Sequence, residues 1–188
     1  MNLAGEPRKQ RADARRNREK LLKAAREAFA RDGTEASLDD IAKKSGVGSA
    51  TLYRHYPTRE LLIEAVYQRE VEKLGALGAE LLASKPPLEA LRTWMMTFVD
   101  HVIEKHIIAS ALTEAAYANA GVIIQGTIER LARRAMENGD LRQDTVPLDL
   151  LRAMIGVLHI RRGPDWRESA KRLVDTLLRG AAEPKGLR

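Results

Sequence analysis

The sequence predicts an all-α fold of about nine helices, and three observations point there. Apolar residues recur at three- and four-residue steps along most of the chain, the spacing that lines one face of a helix. No segment shows the strict two-residue alternation of a half-buried strand. The helical stretches are separated by residues that cap or break helices, among them Gly33, Ser37, Gly46, Pro57, Pro87, Gly139 and Pro147.

The first helix is expected over residues 13–31. Leu21, Leu22, Ala25, Ala28 and Phe29 form its apolar stripe, and Gly33 stands where a left-handed C-cap is wanted. Ser37 reads as the N-cap of a short second helix, with Asp39 and Asp40 suiting the positive end of its dipole. Ser45-Gly46 stops that helix. A third, over residues 49–55, ends before Pro57, which disfavours helical geometry at Tyr56. Thr58 caps a long fourth helix that reaches about residue 83. Pro87, in a first-turn position, opens a fifth over residues 87–105, striped by Leu88, Leu91, Met95, Phe98 and Val102. A segment at 107–117 and one at 122–138, closed by Asn138-Gly139, come next. Pro147 opens a helix to about residue 159, residues 161–164 break it, and 165–178 form the last. The tail at 183–188 is expected to fray.

Composition narrows the class. With 188 residues, 44% hydrophobic and 31% charged, the chain can bury a sizeable core as one domain or two small ones. It holds no cysteine, which excludes disulfides, thiolate zinc sites and a cysteine nucleophile. The longest nearly uncharged stretch, residues 115–127, is too short to span a bilayer, and residues 1–11 lack the apolar core of a signal peptide. A cytoplasmic protein is therefore expected. The net charge of +6 favours polyanionic partners. Residues 1–66 hold fourteen Lys/Arg against ten Asp/Glu, with Arg8, Lys9, Arg11, Arg15, Arg16 and Arg18 crowded at the front. Such a run reads either as a solvated tail or as an arm for a polyanion.

The informative stretch is residues 37–56, SLDDIAKKSGVGSATLYRHY. Two short helices joined by a glycine-containing turn meet the geometry of a helix-turn-helix, whose second helix enters the major groove. Leu38, Ile41, Ala42, Val47 and Leu52 are expected to face inward, and Gly46 suits a turn residue with positive φ. Gly48, Ser49, Ala50, Thr51, Tyr53 and His55 remain outward as candidate DNA-facing residues. Small residues let a helix sit deep in the groove, and hydroxyls bond to phosphates or base edges. An ordinary surface hairpin meets the same pattern, so these residues alone leave both readings open.

The run from Arg18 to Glu64 resembles the N-terminal domain of TetR-family regulators. The matching features are Leu21-Leu22, Ala25, Phe29 and Gly33, then Ile41-Ala42, Gly46-Val47, Thr51-Leu52-Tyr53, His55-Tyr56-Pro57 and Arg59-Glu60-Leu61-Leu62. The resemblance implies a three-helix DNA-binding domain over residues 13–66, after a basic flexible arm at 1–12. A helical ligand-binding and dimerisation domain at 67–182 would follow. It implies a sequence-specific transcriptional regulator, a ligand-released repressor on a palindromic operator, working as a homodimer without cofactor or enzymatic activity. By matching position, Ser37 caps its helix and touches phosphate, Ser49, Ala50 and Thr51 approach bases or backbone, and Tyr53, His55 and Arg59 contact phosphates. Asp39 departs from the pattern, being acidic where several members place a base-reading Arg or Lys. Its side is expected to stay off the DNA, and operator preference to lean on the arm or on DNA shape.

Catalytic readings find little support. Of His55, His101, His106 and His159, only the five-residue spacing of His101 and His106 comes close, and it does not put two ligands on one helix face. Asp100, His101 and Glu104 would hold a metal only with outside help. Gly46-Val47-Gly48 begins like a dinucleotide fingerprint, but position 51 is Thr and no strand precedes it. The arm lacks the interleaved bulky apolar residues of a membrane-binding segment. A small-molecule effector is the remaining partner, for which Trp94, Met95, Phe98, His101, Leu112, Tyr117 and Ile124 could line an apolar pocket. Taken singly, each of them suits plain core packing better. The last two helices offer Leu150, Leu151, Met154, Ile155 and Leu158, then Leu173, Val174, Leu177 and Leu178, for a four-helix interface with a second copy or for the monomer's own core.

Overall fold

Local chemistry sets where the helices begin and end. The computed structural model describes residues 6–109, 111–158 and 165–183. Among them it holds eight α-helices: α1 (Glu6–Asp32), α2 (Leu38–Ser45), α3 (Ser49–His55), α4 (Arg59–Ser84), α5 (Pro87–Ala109), α6 (Glu114–Glu137), α7 (Pro147–Leu158) and α8 (Trp166–Ala181). A single 3-10 turn, Gly33–Glu35, joins α1 to α2. Gly33 and Gly46 end α1 and α2 with φ of +73° and +69°, where an L side chain is strained. The Ser37 hydroxyl accepts the Asp40 N–H at 3.2 Å, and that of Thr58 accepts the Leu61 N–H at 3.3 Å, so both expected N-caps are in place.

Three expectations about the elements are corrected. The chain has eight described helices instead of about nine, because the segment expected at 107–117 is not a helix of its own. Its first residues continue α5, and the Thr113 hydroxyl accepts the Ala116 N–H to restart the chain as α6. Gly121, expected in a break, lies inside α6, where the burial of Ala120 and Ile124 outweighs the helix cost of about 1 kcal/mol for a glycine. The flexible arm expected at 1–12 is helical from Glu6, with Pro7 in the first turn and good helix formers after it. Residues 1–5, the break at 161–164 and the tail from 184 lie outside the described residues. At its far end α8 runs three residues beyond the expected stop. The Arg142 N–H bonds to the Ala181 carbonyl at 3.0 Å, and that of Glu183 to Asp140 at 3.1 Å.

The chain divides into two compact units, one made of Met1–Arg69 with Lys105–Ala116 and the other of Glu70–Glu104 with Tyr117–Arg188. In the first, Leu21, Ala25, Phe29, Ile41, Ala42, Leu52, Leu62, Ile63 and Ile108 are buried; α1 packs on α2, and α2 on α3. Thr113 donates to the Glu64 carboxylate at 2.5 Å, tying the α5–α6 corner to α4. That corner was expected in the C-terminal domain.

In the second unit the rest of α4 meets α5 and α6, and α7 packs on α8. Gly78 marks a close approach: a methyl group built there would overlap Cγ2 of Thr127, itself fully buried with its hydroxyl on the Ile123 carbonyl at 2.7 Å. Arg134 of α6 donates to the carbonyls of Leu82 and Lys85, capping the end of α4. Arg92 of α5 grips Asp175 of α8 with Nε and Nη2, at 2.6 and 3.0 Å, and this bidentate bond holds the Asp175 carboxyl below the ordinary range.

Candidate nucleic-acid interface

The candidate interface is assembled by burying one side of two short helices and leaving the other bare. On α2, Ile41 and Ala42 are buried. On α3, Leu52 is fully buried, and Tyr56 just beyond it is buried too. Val47, in the turn, is also buried, and its N–H bonds to the Ala42 carbonyl at 3.3 Å and to the Ser45 hydroxyl at 3.1 Å. With Gly46 left-handed, this fixes the angle between the two helices. The inward residues thus fall where the sequence pattern puts them, except that Leu38 is half-buried.

Most of the outward candidates are exposed, as expected. Gly48, Ser49, Ala50, Tyr53 and His55 are exposed, Tyr53 at 44%, and Thr51 is half-buried. Ser37 is exposed at the mouth of α2. The seven α2–α3 candidates therefore lie on α3, at its cap or at the cap of α2. Tyr56, by contrast, is buried. Its hydroxyl accepts the Nε of Arg18 at 3.2 Å, which fastens α1 to the end of α3.

Arg59 behaves differently from the outward set. It is half-buried, and its Nη1 donates to the carbonyls of Thr34, at 2.8 Å, and Ala36. The sequence reading also passes over Arg54. This residue is exposed between Tyr53 and His55 in the last turn of α3, and no ion pair neutralises it among the described residues. A basic residue flanked by two outward candidates was the available signal.

Around this surface the charges are mixed. Asp39 and Asp40 are exposed at the start of α2, and Lys43 and Lys44 near its end. Lys44 pairs with Glu27 of α1 at 2.9 Å, and that hydrogen bond lowers the Glu27 carboxyl from its ordinary value. Arg16 pairs with Asp13 on α1. Side chains of Arg8, Lys9 and Arg11 lie outside the described residues.

The residues singled out for an effector pocket differ in burial. Trp94 and Met95 are fully buried, Phe98 is 2% exposed, and His101 and Ile124 are buried at 9%. Trp94 stacks on Phe98, with ring centroids 5.5 Å apart and planes at 14°, and its Nε1 donates to the Leu74 carbonyl at 3.0 Å. Tyr117 is 57% exposed, and Leu112 belongs to the first unit. Among the described residues no group of three His, Cys, Asp or Glu side chains could hold a metal ion. Asp100 lies 3.2 Å from the Nε of Arg167, whereas the side chains of Glu104, His106 and His159 lie outside the described set. No described helix is long and apolar enough to cross a membrane.

Of the candidate interface residues in α7 and α8, Leu150, Leu151, Met154, Val174 and Leu178 are buried within the chain's own second unit. Ile155 and Leu177 are half-buried, and Leu173 is 37% exposed. Leu158 lies outside the described side chains.

Comparison with known proteins bears on both units. Residues 21–66 match the family described as bacterial regulatory proteins, tetR family. Residues 86–182 match that described as transcriptional regulator SbtR-like, C-terminal domain. The structure of the TetR transcriptional regulator SCO0520 from Streptomyces coelicolor is 39% identical with a TM-score of 0.75, covering 89% of this chain and 99% of that one. The TetR transcription regulatory protein from Mycobacterium vanbaalenii is 28% identical, also with a TM-score of 0.75, over 92% and 99%. Among curated proteins, the HTH-type transcriptional regulator UidR of Escherichia coli is 29% identical over 114 residues, 60% of this chain and 51% of its own length. The chain thus spans about half the length of the first curated relatives it matches.

Proposed function

The chain belongs to the TetR family of bacterial regulatory proteins, and from that premise we propose that it regulates transcription by binding operator DNA through α3. The observation that carries this reading is the bare, small-residue surface Gly48-Ser49-Ala50 with Tyr53 and His55 beside it, on a helix anchored by the fully buried Leu52. Ser49, Ala50 and Thr51 approach the groove, and Ser37, Tyr53 and His55 bond to flanking phosphates. Arg54 joins them as a further phosphate contact.

A second copy completes the reader. One short helix makes few contacts, and a two-fold pair sets two of them in successive major grooves, which suits a palindromic operator. The partly exposed Ile155, Leu173 and Leu177 favour α7 and α8 as the shared face. The regulator acts in the cytoplasm as a repressor released by a small molecule. The match of residues 86–182 to a regulator's C-terminal domain supports an effector site in the second unit. A ligand releases the operator only by its greater affinity for the arrangement that misplaces the two readers.

Titration of labelled duplex from the region flanking the chain's own gene tests this. We expect a complex at modest salt that weakens steeply as salt rises, because each phosphate contact contributes about 0.9 to the logarithmic slope. Sedimentation at micromolar concentration should show a dimer. A monomer that leaves this duplex and scrambled controls equally unbound overturns the reading.

A further inference from the structure

A charged side chain at the start of a DNA-reading unit's fourth helix invites assignment to a phosphate. Arg59 instead turns into the protein. Both hydrogens of its Nη1 have acceptors in the α1–α2 connection, the carbonyl oxygens of Thr34 and Ala36. Thr34 lies in the 3-10 turn and Ala36 just after it, immediately before the Ser37 cap. This connection makes few bonds of its own, chiefly the Ala36 N–H to the Gly33 carbonyl at 3.3 Å. Carbonyls outside a helix ladder need partners once they are withdrawn from water, and a guanidinium supplies two from one nitrogen.

We infer that Arg59 is a positioning residue of the DNA reader: it clamps the α1–α2 connection and so fixes the Ser37 cap and the angle of α2. The consequence for function rests on the DNA-binding reading, but the clamp itself does not. Two other bonds enclose the same end of the unit, Arg18 to the Tyr56 hydroxyl and Lys44 to Glu27. Neither reaches the Thr34 or Ala36 carbonyl. Arg59 alone holds them among the described residues.

Lysine separates the two roles. It keeps the positive charge a phosphate would use, but its ammonium ends a shorter stem than the Nη1 that meets the Thr34 and Ala36 carbonyls. In the full chain, Arg59→Lys and Arg59→Met should both speed amide exchange at Asp40 and Ile41 by about 10-fold, while Ala132 in α6 exchanges as before. Both should weaken duplex binding by a similar factor, and the slope of affinity against salt should stay at the wild-type value. The inference is overturned if exchange at Asp40 and Ile41 is unchanged in both. It is equally overturned if Arg59→Lys binds like wild type while Arg59→Met lowers the slope by about 0.9 per reader, the mark of a lost phosphate contact. Arg59→Lys carries the test should Arg59→Met fail to fold. If the wild-type chain itself ignores every duplex, the DNA-binding reading falls, and the exchange measurement still decides the clamp.

Discussion

Trp94→Ala is expected to lower the stability of the chain by about 3–5 kcal/mol, the range for removing a large aromatic from a packed interior. Trp94 is fully buried, stacks on Phe98 and donates its indole N–H to the Leu74 carbonyl. Its neighbourhood has little room to collapse into the space left behind. The Thr127 side chain presses against Gly78, and a Cβ on Gly78 would stand 3.5 Å from the Trp94 Nε1. For a chain of this size each kcal/mol moves the thermal midpoint by about 2–4 °C, so circular dichroism should register a fall of about 10 °C. The size of the fall discriminates between roles. A tryptophan lining an open ligand site would cost little when truncated, and a fall of under about 2 °C would remove Trp94 from the core.

The second large effect is on DNA. Ala50→Glu should abolish operator binding, a loss of about 100-fold or more, while leaving the free chain at least as stable as wild type. Ala50 is exposed in the first turn of α3. A carboxylate there is favourable to the isolated helix, because it sits near the positive end of the dipole. Against DNA it is unfavourable, since like charges brought together cost several kcal/mol and a dimer brings the charge twice. Opposite signs for stability and affinity are hard to obtain from misfolding. Anisotropy with labelled duplex, paired with thermal unfolding, reads both. Undiminished affinity would take α3 off the DNA.

Much of this architecture was legible in the residues, for reasons that differ by element. The helix-turn-helix was readable because its determinants are local. Ser37 caps within three residues, Gly46 must turn left-handed, and Pro57 ends α3 at its neighbour. The α5–α6 boundary was not, because no glycine or proline marks it. The break depends on the Thr113 hydroxyl, which accepts the Ala116 N–H and donates to Glu64, forty-nine residues away in sequence. Gly121 misled in the opposite direction, since tertiary burial around it keeps α6 continuous.

The candidate site divides along the same line. Which side of α3 faces out follows from periodicity, so the exposure of Ser49, Ala50, Tyr53 and His55 was expected. What a long, flexible cation does with its donors does not follow. Arg59 bonds to Thr34 and Ala36 through a fold-dependent approach that spacing cannot reveal. The apolar faces of α7 and α8 show a further limit. Periodicity identifies a buried stripe without saying whether the same chain or another covers it, and here Leu150, Leu151, Met154, Val174 and Leu178 are covered by the chain itself.

A hydroxyl-radical footprint of the full chain on the DNA upstream of its gene tests most directly whether paired α3 helices read the major groove. Two protected patches related by a two-fold axis are expected, with centres about 10–10.5 base pairs apart or a multiple of that, and both should vanish with Ala50→Glu. Uniform cleavage along the fragment at low salt and saturating protein would contradict it.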